Sequence, residues 1–294
     1  MNRTLLILCA FCASVVNSST ANSAEVDVFL FGGQSNMQGI GKIANLPKEV
    51  PLVIPNAFYY FDGKFQPIVL GKTRTSKRAG ELGPEVGFGL EMATAKRPVY
   101  LIKFAASGMP LHHGWNGARW VGGAPAAPRR NFYPGENTAD KNKGALYLEM
   151  LKKFRGGIAQ LKKEGHTPVV RGFAWMQGEQ DSKKKESALA YATSLRRLCR
   201  RLGEDVGLAG SIPTAFGQVL PHQPAGTRFT HRKEIRAQMV AADAASGHPI
   251  AIKNVKMVST DGFGILPDTV HYNAIGQLRL GREFAKALKI VQAQ

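Results

Sequence analysis

Two alternating periods constrain this chain more than any other feature. Short continuous apolar runs, rich in β-branched and aromatic residues, recur at Val26 to Phe31, Pro98 to Phe104, Thr167 to Trp175, Ile212 to Val219 and Ile250 to Val258. Each is long enough for a buried strand. Between them lie segments with helical periodicity: Pro84 to Lys96, Gly144 to Lys163, Lys183 to Leu202, His231 to Ser246 and Ala274 to Val291. Unbroken apolar strands separated by helices suit a parallel sheet covered on both faces. The expected architecture is α/β, a three-layer α/β/α sandwich around a parallel sheet of about five strands.

Two stretches break the rhythm. In Leu46 to Arg78 the aromatic residues Phe58, Tyr59, Tyr60 and Phe61, followed by Asp62-Gly63, suggest a hairpin, and His112 to Lys143 is rich in Gly, Pro and Asn. Both read as surface excursions beside a site. No repeat and no Pro/Ser linker divides the chain.

The N-terminus orders its residues as a secretory signal does: Arg3, an apolar run from Leu5 to Val16, then Asn17, Ser18, Ser19, Thr20 and Ala21. The run is too short to span a bilayer, and no other run approaches the roughly 20 residues required. The expected division is a signal peptide over 1–23 and one domain over 24–294, exported to the periplasm or the medium, without a membrane span. Cys9 and Cys12 would leave with the signal. Cys199 remains, in the apolar phase of a helix with Leu195, Leu198 and Leu202, and reads as core packing.

At 294 residues, 44% hydrophobic and 20% charged, the chain can bury a sizeable core, which excludes disordered and fibrous classes. Its 39 Lys plus Arg against 21 Asp plus Glu leave a net charge of +18. That charge predicts attraction to polyanions in general and says nothing about fold. The clusters at Lys183, Lys184, Lys185 and at Arg196, Arg197, Arg200, Arg201 read as a solvated helix face, so nucleic acid is not the expected partner.

In an open α/β sheet, ligands bind at the carboxyl ends of the strands. The first run ends in Gly32-Gly33-Gln34-Ser35-Asn36-Met37, which holds a serine where either a nucleophile or a helix N-cap would sit. The second ends in Ala106-Ser107-Gly108, whose glycine can aim a backbone N–H into a site. The third ends in Met176-Gln177-Gly178-Glu179-Gln180-Asp181, where Gln177 offers an amide donor for charge developing on an oxygen. After the last run, Leu266 to Tyr272 sets Asp268 three residues before His271. Asp268 can accept the Nδ1 proton of His271, leaving Nε2 to take a proton from Ser35. Alone, an Asp-x-x-His is weak; four site-bearing turns at four strand ends are much stronger.

These blocks carry a family resemblance. Gly33-Gln34-Ser35-Asn36-Met37, Trp175-Met176-Gln177-Gly178-Glu179 and Asp268-Thr269-Val270-His271-Tyr272 resemble the blocks of SGNH (GDSL-like) hydrolases. The subgroup is the sialate O-acetylesterase-like one, which also holds the acetylxylan esterases of carbohydrate esterase family six. The likeness runs from about Val26 to Leu288. It implies a flavodoxin-like SGNH fold with Ser35 as nucleophile, His271 as general base and then acid, and Asp268 as its orienting partner. It also implies an oxyanion hole from the backbone N–H of Ser35, that of Gly108 and the side-chain amide of Gln177, and neither metal nor cofactor. The broader superfamily carries Asn where this chain has Gln177 and Asp where it has Gln34.

Around this constellation Gln34, Asn36, Trp115 and Glu179 are candidates for substrate contact or loop support. Trp115 and Trp120, just past Gly108, either stack on a sugar ring or pin their loop. Glu179 and Asp181 make a poor glycosidase pair, because two loop carboxylates at i, i+2 have no defined separation. His112 and His113 diverge as neighbours and lack further metal ligands at suitable spacing. The function expected is a secreted serine esterase removing O-acetyl groups from an acetylated oligo- or polysaccharide, with acidic glycans admitted by the basic surface. The alternatives are an esterase on non-carbohydrate acyl esters and a non-catalytic binder of glycans or polyanions.

Overall fold

A computed structural model of the protein describes residues 24–293, so the expected signal segment at 1–23 lies outside the described residues. In chain order the main elements are β1 (Glu25–Gly33), α1 (Ser35–Gln38), β2 (Val53–Phe61), β3 (Lys64–Val69), α2 (Pro84–Met92), β4 (Val99–Ala105) and α3 (Ala145–Lys163). They continue with β5 (Thr167–Met176), α4 (Lys185–Leu189), α5 (Tyr191–Asp205), β6 (Thr214–Gly217), α6 (Arg232–Ala242), β7 (Val255–Val258) and α7 (Ala274–Gln292).

In β1, Val28, Phe29, Leu30 and Phe31 are all buried, so both faces of the strand need cover. On one face Phe29 and Phe31 each meet the ring of Phe88 in α2 edge-on at 5.0 Å. On the other, the Cβ position of Gly32 faces Met150 of α3. Helices therefore cover both sides of the sheet, giving the three expected layers.

The sheet runs β7-β6-β5-β1-β4-β2-β3, and every neighbouring pair is parallel except β2 with β3. It has 7 strands where about five were expected. The difference is the aromatic hairpin, which extends the sheet rather than lying on the surface: Ala57 to Tyr59 pair in register with Val99 to Leu101. Ala57 and Tyr59 alternate inward while the residues between them are more exposed, the two-residue period of a half-covered strand. The antiparallel β3 contains Pro67 and forms the edge, where a missing N–H is tolerated. The helix expected over Lys183 to Leu202 is interrupted at Ala190, giving α4 and α5.

From β1 the chain builds the β4-β2-β3 side first and the β5-β6-β7 side afterwards. Winding thus reverses at β1, and the crevice lies at the carboxyl ends of β4, β1 and β5. The last helix is locked to α2 by backbone contact. A Cβ on Gly87 would lie 1.9 Å from the carbonyl oxygen of Leu278, and one on Gly281 would lie 1.8 Å from that of Pro84. Only glycine permits this approach. Cys199 is buried in α5, where burial pushes its thiol up to about 12. Among the described residues, no helix is long and apolar enough to cross a membrane.

Candidate active site

The serine loop is set by Gly33. Its φ is +148°, and a Cβ there would lie 2.1 Å from the carbonyl oxygen of Met176. The close approach brings the end of β1 against the end of β5, and Gln34 N–H donates to that Met176 carbonyl at 2.9 Å. Ser35 then opens α1, with its backbone N–H bonded to no acceptor among the described residues.

The histidine arrives from the far end of the sequence. Between β7 and α7, Asp268 Oδ1 accepts the backbone N–H groups of Val270 and His271, both at 2.9 Å. Leu266 N–H closes the same turn onto the His271 carbonyl at 2.7 Å, and Thr269 takes the left-handed conformation with φ +60°. Asn273 follows as the N-cap of α7, its side chain accepting from Gly276 N–H at 2.9 Å. The locked contact of α7 with α2 thereby fixes where this turn can sit.

Across the crevice, His271 Nε2 lies 2.9 Å from Ser35 Oγ, and His271 Nδ1 lies 2.6 Å from Asp268 Oδ2. Partial burial raises the Asp268 carboxyl, but the bond to the His271 ring and the two backbone donors outweigh it and hold the group below its ordinary range. An ionised Asp268 can accept a hydrogen bond from Nδ1–H, which orients the ring so that Nε2 faces the serine hydroxyl. Gly108, after β4, has φ +68° and open space at its Cβ position, and its N–H bonds to no acceptor among the described residues. Ser35, Gly108, Gln34, Glu179 and His271 line one cavity of 580 Å³. A hydroxyl beside an imidazole that is oriented by a carboxylate, with unbonded N–H donors on the same cavity, is equipped for acyl transfer.

The sequence profile of the family described as carbohydrate esterase, sialic acid-specific acetylesterase, matches residues 25–289. The chain belongs to that family. It is accordingly a carboxylic ester hydrolase of carbohydrate acetylesterase type. No curated protein sequence matches it. Among solved structures, it resembles a protein from Arabidopsis thaliana with TM-score 0.63 and 18% identity, over 90% of this chain and 98% of that one. It resembles NanS with TM-score 0.56 and 12% identity, over 91% and 98% respectively. A carbohydrate acetylesterase from Xanthomonas citri, XAC1771, gives TM-score 0.55 and 16% identity, over 91% of this chain and 56% of that one. At such identities these likenesses speak for the fold alone.

Within the esterase, Gln177 departs from the expectation. It is fully buried, and its Nε2 donates to Asp181 Oδ2 at 2.6 Å and to the Met109 carbonyl at 3.2 Å. Both hydrogens go to protein acceptors, so in this structure the amide braces two loops and leaves no N–H free for the cavity. Asp181 also accepts from Leu111 and His112 N–H at 2.8 and 3.0 Å, tying the Gly108 loop to the end of β5. Burial raises its carboxyl to about 6 against the opposing pull of Leu111, Gln177 and His112.

The other supporting candidates divide by position. Gln34 faces the cavity, with Oε1 near the N–H groups of Gly178 and Gln180 at 3.5 and 3.4 Å. Asn36 is buried and joins three loops: Nδ2 donates to Glu179 Oε1 at 2.7 Å and to the Val270 carbonyl at 3.0 Å, and Oδ1 accepts from Tyr272 N–H at 3.1 Å. Burial raises the Glu179 carboxyl, while the hydrogen bond from Asn36 opposes it. Trp115 is buried away from the cavity, donating from Nε1 to Ser187 Oγ at 3.0 Å and meeting Trp120 edge-on, so it supports its loop. His112 accepts Gly114 N–H on Nδ1 and is pulled down to about 4, first by burial and then by the charges of His113 and Arg197. Sequence reasoning missed Lys77, Arg228 and Phe229 in the cavity wall. They come from irregular loops without periodicity, and no sequence signal marks them.

Proposed function

We propose that the protein removes O-acetyl groups from an acetylated oligo- or polysaccharide by a serine acyl-enzyme mechanism. The observation that carries this reading is the 2.9 Å approach of His271 Nε2 to Ser35 Oγ, with Nδ1 held by Asp268. Ser35 attacks the ester carbonyl as His271 takes its proton, and the oxyanion is received by the backbone N–H groups of Ser35 and Gly108. The protonated imidazole then gives its proton to the departing sugar hydroxyl. Water, activated by the same nitrogen, releases acetate and restores the serine.

The family match over residues 25–289 supports a carbohydrate ester as substrate. The charged, apolar and small-residue order at 1–23 supports export, with 24–294 acting as a single catalytic domain. The test is acetate release from acetylated xylan, O-acetylated sialosides and simple acetylated sugars, run beside a chromogenic acetate ester. Turnover of a carbohydrate acetate, abolished in Ser35→Ala and by a serine-directed inhibitor, is the expected result. Turnover that survives Ser35→Ala would overturn the mechanism.

A further inference from the structure

The cavity that holds Ser35 and His271 does not end at the reacting groups. A second cavity of 520 Å³ shares Gln38, Lys77 and Ser107 with it, and Ser107 Oγ donates to Gln38 Oε1 at 3.1 Å on this common wall. The second cavity is lined by Arg74, Lys77, Lys103, Arg130 and Lys153, with Glu149 as the opposing charge. Lys103 is neutralised: it is buried, and its Nζ lies 2.6 Å from Glu85 Oε2. Arg74, Lys77, Arg130 and Lys153 form no ion pair among the described residues. The cations are gathered from the loop at 74–77, from the Gly-rich loop carrying Arg130 and from α3, elements far apart in sequence.

Lys153 is the most informative member. Its ammonium is half-buried, and its pKa is lowered first by that burial and then by the charge of Lys103. The opposite charge of an anion seated beside it would offset both effects. The first cavity continues the same character, since Lys77 and Arg228 on its wall also lack a carboxylate partner among the described residues.

We propose that the second cavity is an anion subsite, receiving the carboxylate or sulfate of a sugar that flanks the acetylated one, so that the substrate is an O-acetylated polyanionic glycan chain. The proposal rests on the esterase reading above for the identity of the neighbouring site. Acetyl transfer would proceed at Ser35 while an adjoining ring is held by its charge, and a lone neutral sugar would use the first cavity alone.

The test is binding, which is independent of turnover. Unacetylated oligogalacturonate, a sulfated xylo-oligosaccharide and neutral xylo-oligosaccharide of equal length are titrated calorimetrically against the wild-type protein at about 0.15 M salt, where surface fields are screened within roughly 8 Å. The expected result is binding of one or both anionic chains, the two arms separating carboxylate from sulfate, with the neutral chain bound at least about tenfold more weakly. Arg130→Gln/Lys153→Met should weaken anion binding by a similar factor. Lys162→Met/Lys163→Met, which removes two exposed charges from the far end of α3, should leave it unchanged. Should the first pair prove unfolded by thermal melting, Lys77→Met/Arg130→Gln, two exposed side chains, replaces it. Equal affinity for neutral and anionic chains, or equal losses in the cavity pair and the α3 pair, would overturn the proposal. Turnover of the chromogenic acetate separately reports whether the esterase reading stands.

Discussion

The side-chain amide of Asn36 donates to the carboxylate of Glu179 at 2.7 Å, binding the residue after Ser35 to the loop that follows β5. The same amide reaches the carbonyl of Val270, one residue before His271. The serine and the histidine are therefore held at their separation by a buried group that neither of them contacts through its side chain. In Asn36→Ala, the Glu179 carboxylate and Tyr272 N–H lose buried partners, at about 1–3 kcal/mol of stability for a group left unpaired. Denaturant titration should show that loss together with a lowered kcat, because the histidine turn is freed to move. An unchanged kcat at reduced stability would assign Asn36 to folding alone.

Ser35→Ala and His271→Ala should each lower kcat by about 10⁶-fold, and the double variant should be scarcely worse, as expected for groups acting as one unit. Stopped assays on a chromogenic acetate measure this. Additive losses would mean that the two residues act separately.

Gly108→Ala meets no obstacle at the Cβ position, so its effect comes from the left-handed φ of +68°. Relaxation of that strain turns the N–H away from the cavity. Loss of one oxyanion donor lowers kcat by about 10² to 10³. The expected signature is reduced kcat with near-normal stability, read by steady-state kinetics and thermal melting on the same sample.

Asp181 gives a pH dependence of stability. Its carboxyl is raised to about 6 in the folded protein, above the unfolded value of about 3.9, so between these limits the native chain holds a proton that the unfolded chain has released. This contribution therefore falls as pH rises through the window. Relative to Asp181→Asn, the wild type should lose up to about 3 kcal/mol between about pH 4 and 6. Urea titrations of both proteins across that range check it, and a constant difference would contradict it.

Gly281→Ala should destabilise, whereas an ordinary glycine-to-alanine change in a helix is favourable by about 0.5–1 kcal/mol. The added carbon would meet the Pro84 carbonyl at 1.8 Å, and overpacking of that kind costs about 1–3 kcal/mol or more. Since α7 carries the His271 turn at its N-terminus, kcat should fall as well. Comparison with Gly165→Ala, whose Cβ would meet nothing within 4 Å, separates helix contact from backbone strain.

Much of the frame was legible because strands buried on both faces are written as unbroken apolar runs. Phe29, Leu30 and Phe31 have no polar alternation, and they fall at the centre of the sheet. The hairpin is legible as a hairpin, but its place in the sheet is not. Its β2 is half-covered, and the alternation around Tyr59 does not reveal which neighbour it pairs with. Ser35, Asp268 and His271 were legible because each follows an apolar run at a turn with distinctive residues. The commitment of Gln177 was not, since its two hydrogens are claimed by a carboxylate four residues later and by a carbonyl 68 residues earlier. The cationic wall was invisible for a related reason: Arg74, Arg130 and Lys153 belong to three distant segments, and charge along a sequence carries no information about which side chains converge.

The seam between α2 and α7, where Gly87 faces the Leu278 carbonyl and Gly281 that of Pro84, implies a division of labour. The element that delivers the imidazole is bolted to the scaffold at two points where even a methyl group is forbidden. Lys77, Arg130 and Arg228 on the crevice walls, by contrast, sit on loops outside the helices and strands. A substitution in those loops can thus reshape the crevice lining while the seam still holds the histidine turn in place.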